Sequence, residues 1–539
     1  ARTNDRGASL RAEITSLRPL LAVLVSALAV APILASRGRP NLREAWTVLA
    51  AVTKFGLVAS MVPAVLAGDV YVTDLGTFVP GVNFALEADA LGLLFGLLAS
   101  LLWVVTSFYS MGYMRGLDEG HQTRYFASFA GSVSAAIGIA FAGNLLVLFV
   151  FYELLTVATY PLVTHDQTTE ARAAGRKYLT YTFGGGVAVL AGTVIVYALT
   201  GTTTFTPGRI ADLATSDQTL ASAAFGLLIL GFGVKAALMP LHSWLPDAMV
   251  APTPVSGLLH AVAVVKSGVF GIARVTLDVF GPDAVADLGL GIALAFVAAA
   301  TLLISSIIAL RQDNLKRRLA FSTVSQLSYI VLGVAVGVSV APDRAAAYAL
   351  AGGLLHIPAH AFMKLTLFFC AGAIHVETHT DDISDMAGIG RRMPLTMTAF
   401  GVASLGMAGI PLIAGFVSKY FILVGTVSSG QLLFTGALLV SGVLNIAYFW
   451  PVVYTAFFES PDDGNSKPVL ESPFGGDRDR DVATDGGHEG EGHDEHGGHD
   501  GHDEHGHGHG DGWTAAGWRG GESTWLMLAP ILFAAAGSV

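Results

Sequence analysis

The sequence has little charge and almost no cysteine. Charged residues make up 13% of the 539 residues, against roughly 25% in soluble domains. Hydrophobic residues make up 53%, and the mean hydropathy is +0.59. This composition excludes an ordinary soluble domain and indicates a membrane protein. The single cysteine, Cys370, excludes a disulfide framework and any cysteine-ligated iron–sulfur cluster.

Nucleotide-binding signatures are also missing. No phosphate loop and no dinucleotide fingerprint occurs, so neither ATP nor NAD chemistry is expected within the chain, and no cofactor is expected. If the protein pumps ions, the energy comes from an ion gradient or from a partner subunit.

Fourteen apolar segments approach the length of about 20 residues that a membrane-spanning helix needs. They lie near 17–36, 44–67, 88–114, 125–142, 144–163, 177–199, 221–246, 253–280, 286–310, 317–340, 344–375, 395–428, 433–458 and from 524 onward, where the chain is expected to end within a helix. Two of them are interrupted, one by Pro240 and Pro246 and the other by Gly409 and Pro411. Paired interruptions point to a transport site. The sequence therefore predicts an all-α, polytopic bundle with broken helices.

Basic connections follow the odd-numbered segments, around Arg37, Arg115, Arg172, Arg311 and Arg391. The connections between them are neutral or acidic. By the positive-inside rule the N-terminus is outside and the odd-numbered helices end in the cytoplasm. The expected location is the plasma membrane of a prokaryote.

The segment Glu459–Glu522 is acidic and rich in glycine and histidine, and this topology makes it a cytoplasmic loop. It has too little apolar surface to fold alone. We interpret it as a solvated insertion, because no fixed ligand spacing stands out. Weak binding of Zn or Ni is the alternative. The candidate metal ligands are His493, His496, His499, His502, His505, His507 and His509.

Four of the eight lysines lie inside apolar segments: Lys235, Lys266, Lys364 and Lys419. A lysine at the centre of a spanning helix costs about 2.5–3.5 kcal/mol. A buried lysine can lose its proton in the physiological range, whereas arginine effectively cannot. These four residues are therefore suited to proton exchange.

Glu153 is a lone carboxylate within an apolar run. It is expected to be protonated or paired, and Lys235 is the obvious partner. A pair whose separation changes would load and release a proton, whereas a static pair would only fix the packing of the helices.

His356, His360 and Lys364 follow one another at intervals of four, which places them on one helix face. Because histidine titrates nearest neutral pH, this stripe indicates a hydrated proton relay. His260 is a weaker candidate, since a step of six residues places it on a different face from Lys266.

Several long motifs carry a resemblance to a known family. They are Gly233–Asp247 (GVKAALMPLHSWLPD), Ala251–Lys266, Asp313–Tyr329, His356–Lys364 and Gly409–Lys419. In this order they resemble the antiporter-like subunits of Mrp-type cation/proton antiporters and of the proton-pumping arm of respiratory complex I. The resemblance covers about residues 85–460, and the surroundings of Lys266 and Lys419 are most similar to the D-type Mrp subunit.

The resemblance implies two inverted five-helix repeats. The resulting segments are 1–124 (three helices), 125–280 (first repeat), 281–458 (second repeat), 459–522 (loop) and 523–539 (start of the last helix). It also implies a proton route through Glu153, Lys235, Lys266, the His356/His360 region and Lys419. The expected partners are other subunits of the complex, H⁺, Na⁺ and the lipid bilayer, with no nucleic acid.

The leading hypothesis is thus a proton-translocating subunit of a multisubunit Na⁺/H⁺ antiporter, which is a secondary transporter and not an enzyme. The same relay would serve a pumping subunit of a complex I-like or hydrogenase-like redox complex, or the membrane subunit of an inorganic-carbon uptake system. A metal-binding protein built around the histidine-rich loop is a fourth hypothesis, but it leaves the buried charges unexplained.

Overall fold

The structure is a computed structural model that describes residues 12–460 and 522–539, except 209, 211, 212, 214, 215, 341 and 342. The seven candidate metal ligands of the acidic loop, His493 to His509, lie outside the described residues. Their metal binding stays a prediction.

Helices form most of the described chain. They are α1 (Arg18–Ala35), α2 (Pro40–Ala59), α3 (Val62–Leu66), α4 (Ala90–Gly116), α5 (Gln122–Ala140), α6 (Leu145–Val163), α7 (Thr169–Thr200), α8 (Gln218–Lys235), α9 (Trp244–Asp247), α10 (Thr253–Gly257), α11 (Val264–Arg274), α12 (Gly281–Asp287), α13 (Leu290–Ala309), α14 (Leu315–Gly337), α15 (Arg344–Thr378), α16 (Ile389–Arg392), α17 (Pro394–Ala408), α18 (Ala414–Ser428), α19 (Leu432–Phe458) and α20 (Trp525–Ala536). Short 3-10 turns occur at Ala248–Val250 and Ile383–Met386. Two π-helical segments, Leu258–Val262 and Val275–Val279, flank α11.

Eleven helical segments in the described ranges are long and apolar enough to cross a membrane. The predicted all-α polytopic bundle is confirmed, but the predicted count of fourteen spans is not. The other three predicted spans correspond to α5, to the pair α17 and α18 with 15 residues each, and to α20 with 12 residues.

Both predicted helix interruptions are present. Helix α8 ends at Lys235, and Ala237 has a left-handed backbone with φ of 54°. Helix α17 ends at Ala408, where Gly409 has φ of 86°, and α18 begins at Ala414. Glycine adopts this backbone without steric cost. Each break therefore leaves helix-end carbonyl oxygens without partners inside their own helix.

A small sheet, which the sequence did not indicate, covers one end of the bundle. Its strands are β1 (Glu13–Thr15), β2 (Val70–Val79) and β3 (Val82–Ala88), in the order β1-β2-β3. Strand β1 is parallel to β2, and β2 is antiparallel to β3. The backbone N–H of Glu87 donates to the carbonyl oxygen of Phe141, 2.6 Å away, which ties β3 to the connection between α5 and α6.

The helices that carry the candidate charges lie at the centre. The most apolar windows of Thr253–Val279 and of α14 are entirely buried, and that of α15 is 89% buried. In α1 and α2 only 33% of the corresponding window is buried. The central charges are thus surrounded by protein, as expected for ionisable groups in a membrane.

Candidate functional site

Glu153 lies at one side of the bundle, in α6. Its carboxylate occupies the space above Gly186 of α7, where a Cβ atom would lie 1.9 Å from Oε1. Oε1 has no hydrogen-bond partner, and Glu153 makes no ion pair with any residue that the structure describes. The side chain is half-buried. Among the described residues, none lies close enough to form an ion pair with this carboxylate.

Lys235 contacts α6, the helix that carries Glu153, but not the Glu153 carboxylate. Its Nζ donates to the backbone oxygen of Tyr152 at 2.5 Å and lies 3.4 Å from the centre of the Tyr152 ring. The cation–π contact and the carbonyl together hold the ammonium group beside Glu153. The expected Glu153–Lys235 ion pair is therefore open in this conformation.

Lys235 also lies against the helix that carries Lys266. A Cβ atom at Gly268 of α11 would lie 2.2 Å from the backbone nitrogen of Ala236 and 2.7 Å from the carbonyl carbon of Lys235. Only glycine permits this close approach of two backbones. The end of α8 and the start of α11 are consequently neighbours, although no hydrogen bond joins Lys235 to Lys266.

Lys266 and His360 share the centre of the protein. Both are fully buried, and the Lys266 Nζ lies 2.6 Å from Nδ1 of His360. A protonated lysine can donate to a neutral imidazole, and a protonated imidazole can donate to a neutral amine. One proton can therefore reside on either side of this contact, which joins α11 to α15.

His260 lies closer to this group than its spacing indicated. It falls in the π-helical segment Leu258–Val262, and its ring lies 4.8 Å from Phe368 of α15. The wider π turn changes the angular step, so His260 and Lys266 both face α15 instead of different sides. Neither ring nitrogen of His260 has a hydrogen-bond partner among the described residues.

His356 lies beside His360 on the side of the second helix break, so that Lys266, His360 and His356 form a central row. Its ring lies 6.0 Å from that of His360. Nε2 is 2.9 Å from Oε1 of Gln326 in α14, and Nδ1 is 2.8 Å from Oγ of Ser418 in α18. Both ring nitrogens of His356 therefore have a polar neighbour, and these contacts join α15 to α14 and α18.

Lys364 lies one turn beyond His360 and is also fully buried. Its Nζ donates to the carbonyl oxygen of Leu319 at 2.9 Å and to Oγ of Ser322 at 2.7 Å. The hydroxyl of Tyr448 lies 3.2 Å from the same Ser322 oxygen. Hydrogen bonds thus link Lys364 to α14 and, through Ser322, to α19. They do not include Lys266 or His360.

Lys419 lies at the second helix break and is half-buried. Its Nζ donates to the carbonyl oxygen of Met407, in the last turn of α17, and lies 4.5 Å from the centre of the Tyr329 ring. A cation at a helix C-terminus is favoured by the helix dipole. Lys419 follows Ser418 in the chain, so it adjoins the residue that contacts His356.

Six of the eight predicted relay residues are fully buried within the bundle: Lys235, His260, Lys266, His356, His360 and Lys364. Hydrogen bonds join Lys266 to His360, and they join His356 to Gln326 and Ser418. The rings of His356 and His360 lie 6.0 Å apart. Glu153 and Lys419 are half-buried. The sequence did not single out Gln326, Ser322 or Ser418, because a neutral polar residue in an apolar helix carries no charge signal.

Sequence reasoning also missed Lys54. It lies in α2, is fully buried, and donates to Oγ of Ser26 at 2.5 Å, with Nζ 5.4 Å from the Trp103 ring. Its contacts belong to α1, α2 and α4 and not to the central row. The signal that could have identified it, an isolated lysine between apolar residues, was the one used for the other four.

A cavity of about 780 Å³ opens at the end of the bundle where the connections α4–α5 and α6–α7 lie. Five carboxylates line it: Glu119, Asp166, Glu170, Asp247 and Asp381. Lys316 also lines it and donates to the carbonyl oxygen of Ala251. Lys177 and Arg317 line it as well. This vestibule reaches the segment after the first helix break.

Comparison with known proteins identifies the family. Residues 142–445 match the family described as NADH:quinone oxidoreductase/Mrp antiporter, transmembrane part. The chain belongs to this antiporter family. The match includes the central row from Glu153 to Lys419, so the predicted family is confirmed.

Some relatives within the antiporter family are named as subunits of a quinone oxidoreductase and others as subunits of cation/proton antiporters. The chain is 33% identical over 407 residues to a NADH-quinone oxidoreductase subunit N of Desulforudis audaxviator, covering 74% of this chain and 77% of that protein. It is 38% identical over 352 residues to the A-type subunit of the Na⁺/H⁺ antiporter of Alkalihalophilus pseudofirmus, covering 63% of this chain and 42% of that protein. The chain therefore spans less than half the length of that antiporter protein.

Solved structures with the antiporter-family fold are similar over most of the chain. A chain of the Mrp complex from Dietzia sp. DQ12-45-1b has a TM-score of 0.76 at 22% identity, covering 97% of this chain and 94% of that one. A chain of an archaeal membrane-bound sulfane sulfur reductase has a TM-score of 0.74 at 25% identity, covering 82% and 88%. These likenesses confirm the polytopic membrane fold.

Proposed function

We propose that this chain is a proton-translocating subunit of a multisubunit Na⁺/H⁺ antiporter, similar to the D-type Mrp subunit. The observation that carries the proposal is the fully buried contact of Lys266 with His360, extended by His356 toward Lys419. A membrane helix bundle has no structural need for three titratable groups in contact at its centre. The row is suited to moving a proton in the membrane plane.

The two ends of the row support operation within a larger complex. Glu153 and Lys419 are half-buried at the edge of the described bundle. An ionisable group at this depth needs a partner or a wet cavity. We infer that neighbouring subunits cover these ends, so that the chain does not exchange ions alone. The antiporter and redox-complex names of its relatives agree with this inference.

The pair of broken helices supports the proposed division into inverted repeats at 125–280 and 281–458. Lys235 precedes the first break, and Lys419 follows the start of α18 after the second. Each lysine donates to a backbone carbonyl oxygen beside an aromatic ring. This shared pattern of a lysine, a carbonyl oxygen and an aromatic ring is what an inverted repeat would produce.

The experiment uses everted vesicles that contain the chain with its partner subunits. A pH-sensitive dye reports the proton gradient, and Na⁺ is added after the gradient is established. Lys235→Ala should abolish the Na⁺-dependent collapse of the gradient while the protein stays in the membrane. Lys54→Ala is the matched control, because Lys54 is equally buried but lies outside the row. Exchange retained in Lys235→Ala would refute the relay.

A redox-driven pump is the second candidate, favoured by the similarity to subunit N over 77% of that protein. The same vesicles distinguish it. If Na⁺ has no effect, but an electron donor produces acidification that Lys235→Ala abolishes, the relay belongs to a redox complex.

A further inference from the structure

Three potential metal ligands meet at the vestibule, away from the proton relay. Glu119 lies in the connection between α4 and α5, and His165 and Asp166 lie in the connection between α6 and α7. One ligand atom from each residue lies within 4.8 Å of the others. Both carboxylates line the 780 Å³ cavity, so an ion in solution can reach them.

His165 is prepared for this role by its buried position. It is 2% exposed, and its Nε2 lies 3.1 Å from the carbonyl oxygen of Gly120 and 4.0 Å from Oε2 of Glu119. Nδ1 has no hydrogen-bond partner among the residues that the structure describes. Nε2 is the ring nitrogen that faces Gly120 and Glu119. To bind a metal ion it would exchange its hydrogen bond to the Gly120 carbonyl oxygen for a bond to the metal, with the ring proton on Nδ1.

The two carboxylates of this group favour a bound cation. The ligand atoms of Glu119 and Asp166 lie within 4.8 Å of each other, beside the His165 ring. A divalent ion between these carboxylates would offset their mutual repulsion.

We propose that Glu119, His165 and Asp166, with the carbonyl oxygen of Gly120, bind one divalent transition-metal ion of the Zn²⁺ class. One imidazole nitrogen with several oxygens is a ligand set that suits such ions. Ligand bonds of about 2.0–2.2 Å require the side chains to draw together by roughly 1 Å. The bound ion would fasten the α4–α5 connection to the α6–α7 connection.

The test measures Zn²⁺ binding to the purified full complex by isothermal titration calorimetry. The histidines between positions 488 and 509 are replaced by glutamine in every sample, because the acidic loop would otherwise bind the same metal. In this background His165→Gln should weaken Zn²⁺ binding at least tenfold. The amide of the introduced glutamine would still donate to the Gly120 carbonyl, so the fold should persist.

Two further variants make the result decisive. Asp166→Asn changes an exposed side chain and should also weaken binding, which excludes misfolding as the cause. His121→Asn changes an exposed histidine in the same α4–α5 connection and should leave binding unchanged. Zn²⁺ bound equally tightly by the background protein, His165→Gln and Asp166→Asn would overturn the proposal.

Discussion

Replacing Gly186 by alanine moves the Glu153 carboxylate without removing it. The new Cβ would lie 1.9 Å from Oε1 and 2.6 Å from the carboxyl carbon, whereas real Cβ contacts are essentially never under 3.0 Å. The carboxylate must therefore move by about 1 Å or more. Because it is the end of a flexible side chain, the helices themselves need not separate.

The expected magnitude follows from two opposed effects. Alanine is favoured over glycine within a helix by about 0.5–1 kcal/mol, so the variant should not be less stable than the parent protein. Displacing a reacting group by about 1 Å can lower a rate by roughly 10²-fold. We expect a large loss of proton exchange in a protein that is folded and inserted normally.

The matched control is Gly184→Ala in the same helix, because a Cβ atom there meets nothing within 4 Å. Both variants are assayed by the Na⁺-dependent collapse of the proton gradient in everted vesicles and by their melting temperature in detergent. Gly186→Ala should be nearly inactive and Gly184→Ala fully active. Equal exchange by both variants would refute the assignment of Glu153 to the proton route.

Three further outcomes are expected. Burial, and then the charge of Asp89, raise the pKa of Glu87 to about 7. The folded protein therefore binds more protons than the unfolded one between about pH 4.5 and 7, and its stability falls as pH rises through this window. Glu87→Gln should raise the melting temperature at pH 8 and not at pH 4. Lys54→Met removes a buried charge that no carboxylate of the described residues compensates, and it should raise the melting temperature by a few degrees while ion exchange continues. A lower melting temperature would mean that the Ser26 and Trp103 contacts outweigh this cost. Deleting residues 480–510 should leave exchange intact in vesicles if the loop is a solvated insertion, and a shifted pH or metal response would show otherwise.

The sequence predicted the buried charges well, because their cost in a membrane makes them conspicuous. Lys235, Lys266, His356 and His360 are fully buried, as expected. Both helix breaks were predicted for a related reason, since proline and glycine within an apolar run are visible without a structure.

The partners of those charges could not be predicted. Lys235 contacts the carbonyl oxygen of Tyr152 and not Glu153, and a backbone acceptor has no signature in the sequence. The position of His260 depends on a π turn, which changes the helical period locally. The candidate metal ligands Glu119 and His165 belong to different connections, so only the packing of the helices brings them together.

The main-chain acceptors of the buried lysines also affect how the protein tolerates substitution. Lys235, Lys316 and Lys419 each donate to a main-chain oxygen. Every amino acid supplies that oxygen, so replacing the residue that bears it does not delete the acceptor. In a saturation-mutagenesis scan, most substitutions of these lysines should impair the protein, whereas substitutions of the residues that supply the oxygens should be tolerated better. Covariation between related sequences would therefore not reveal these contacts.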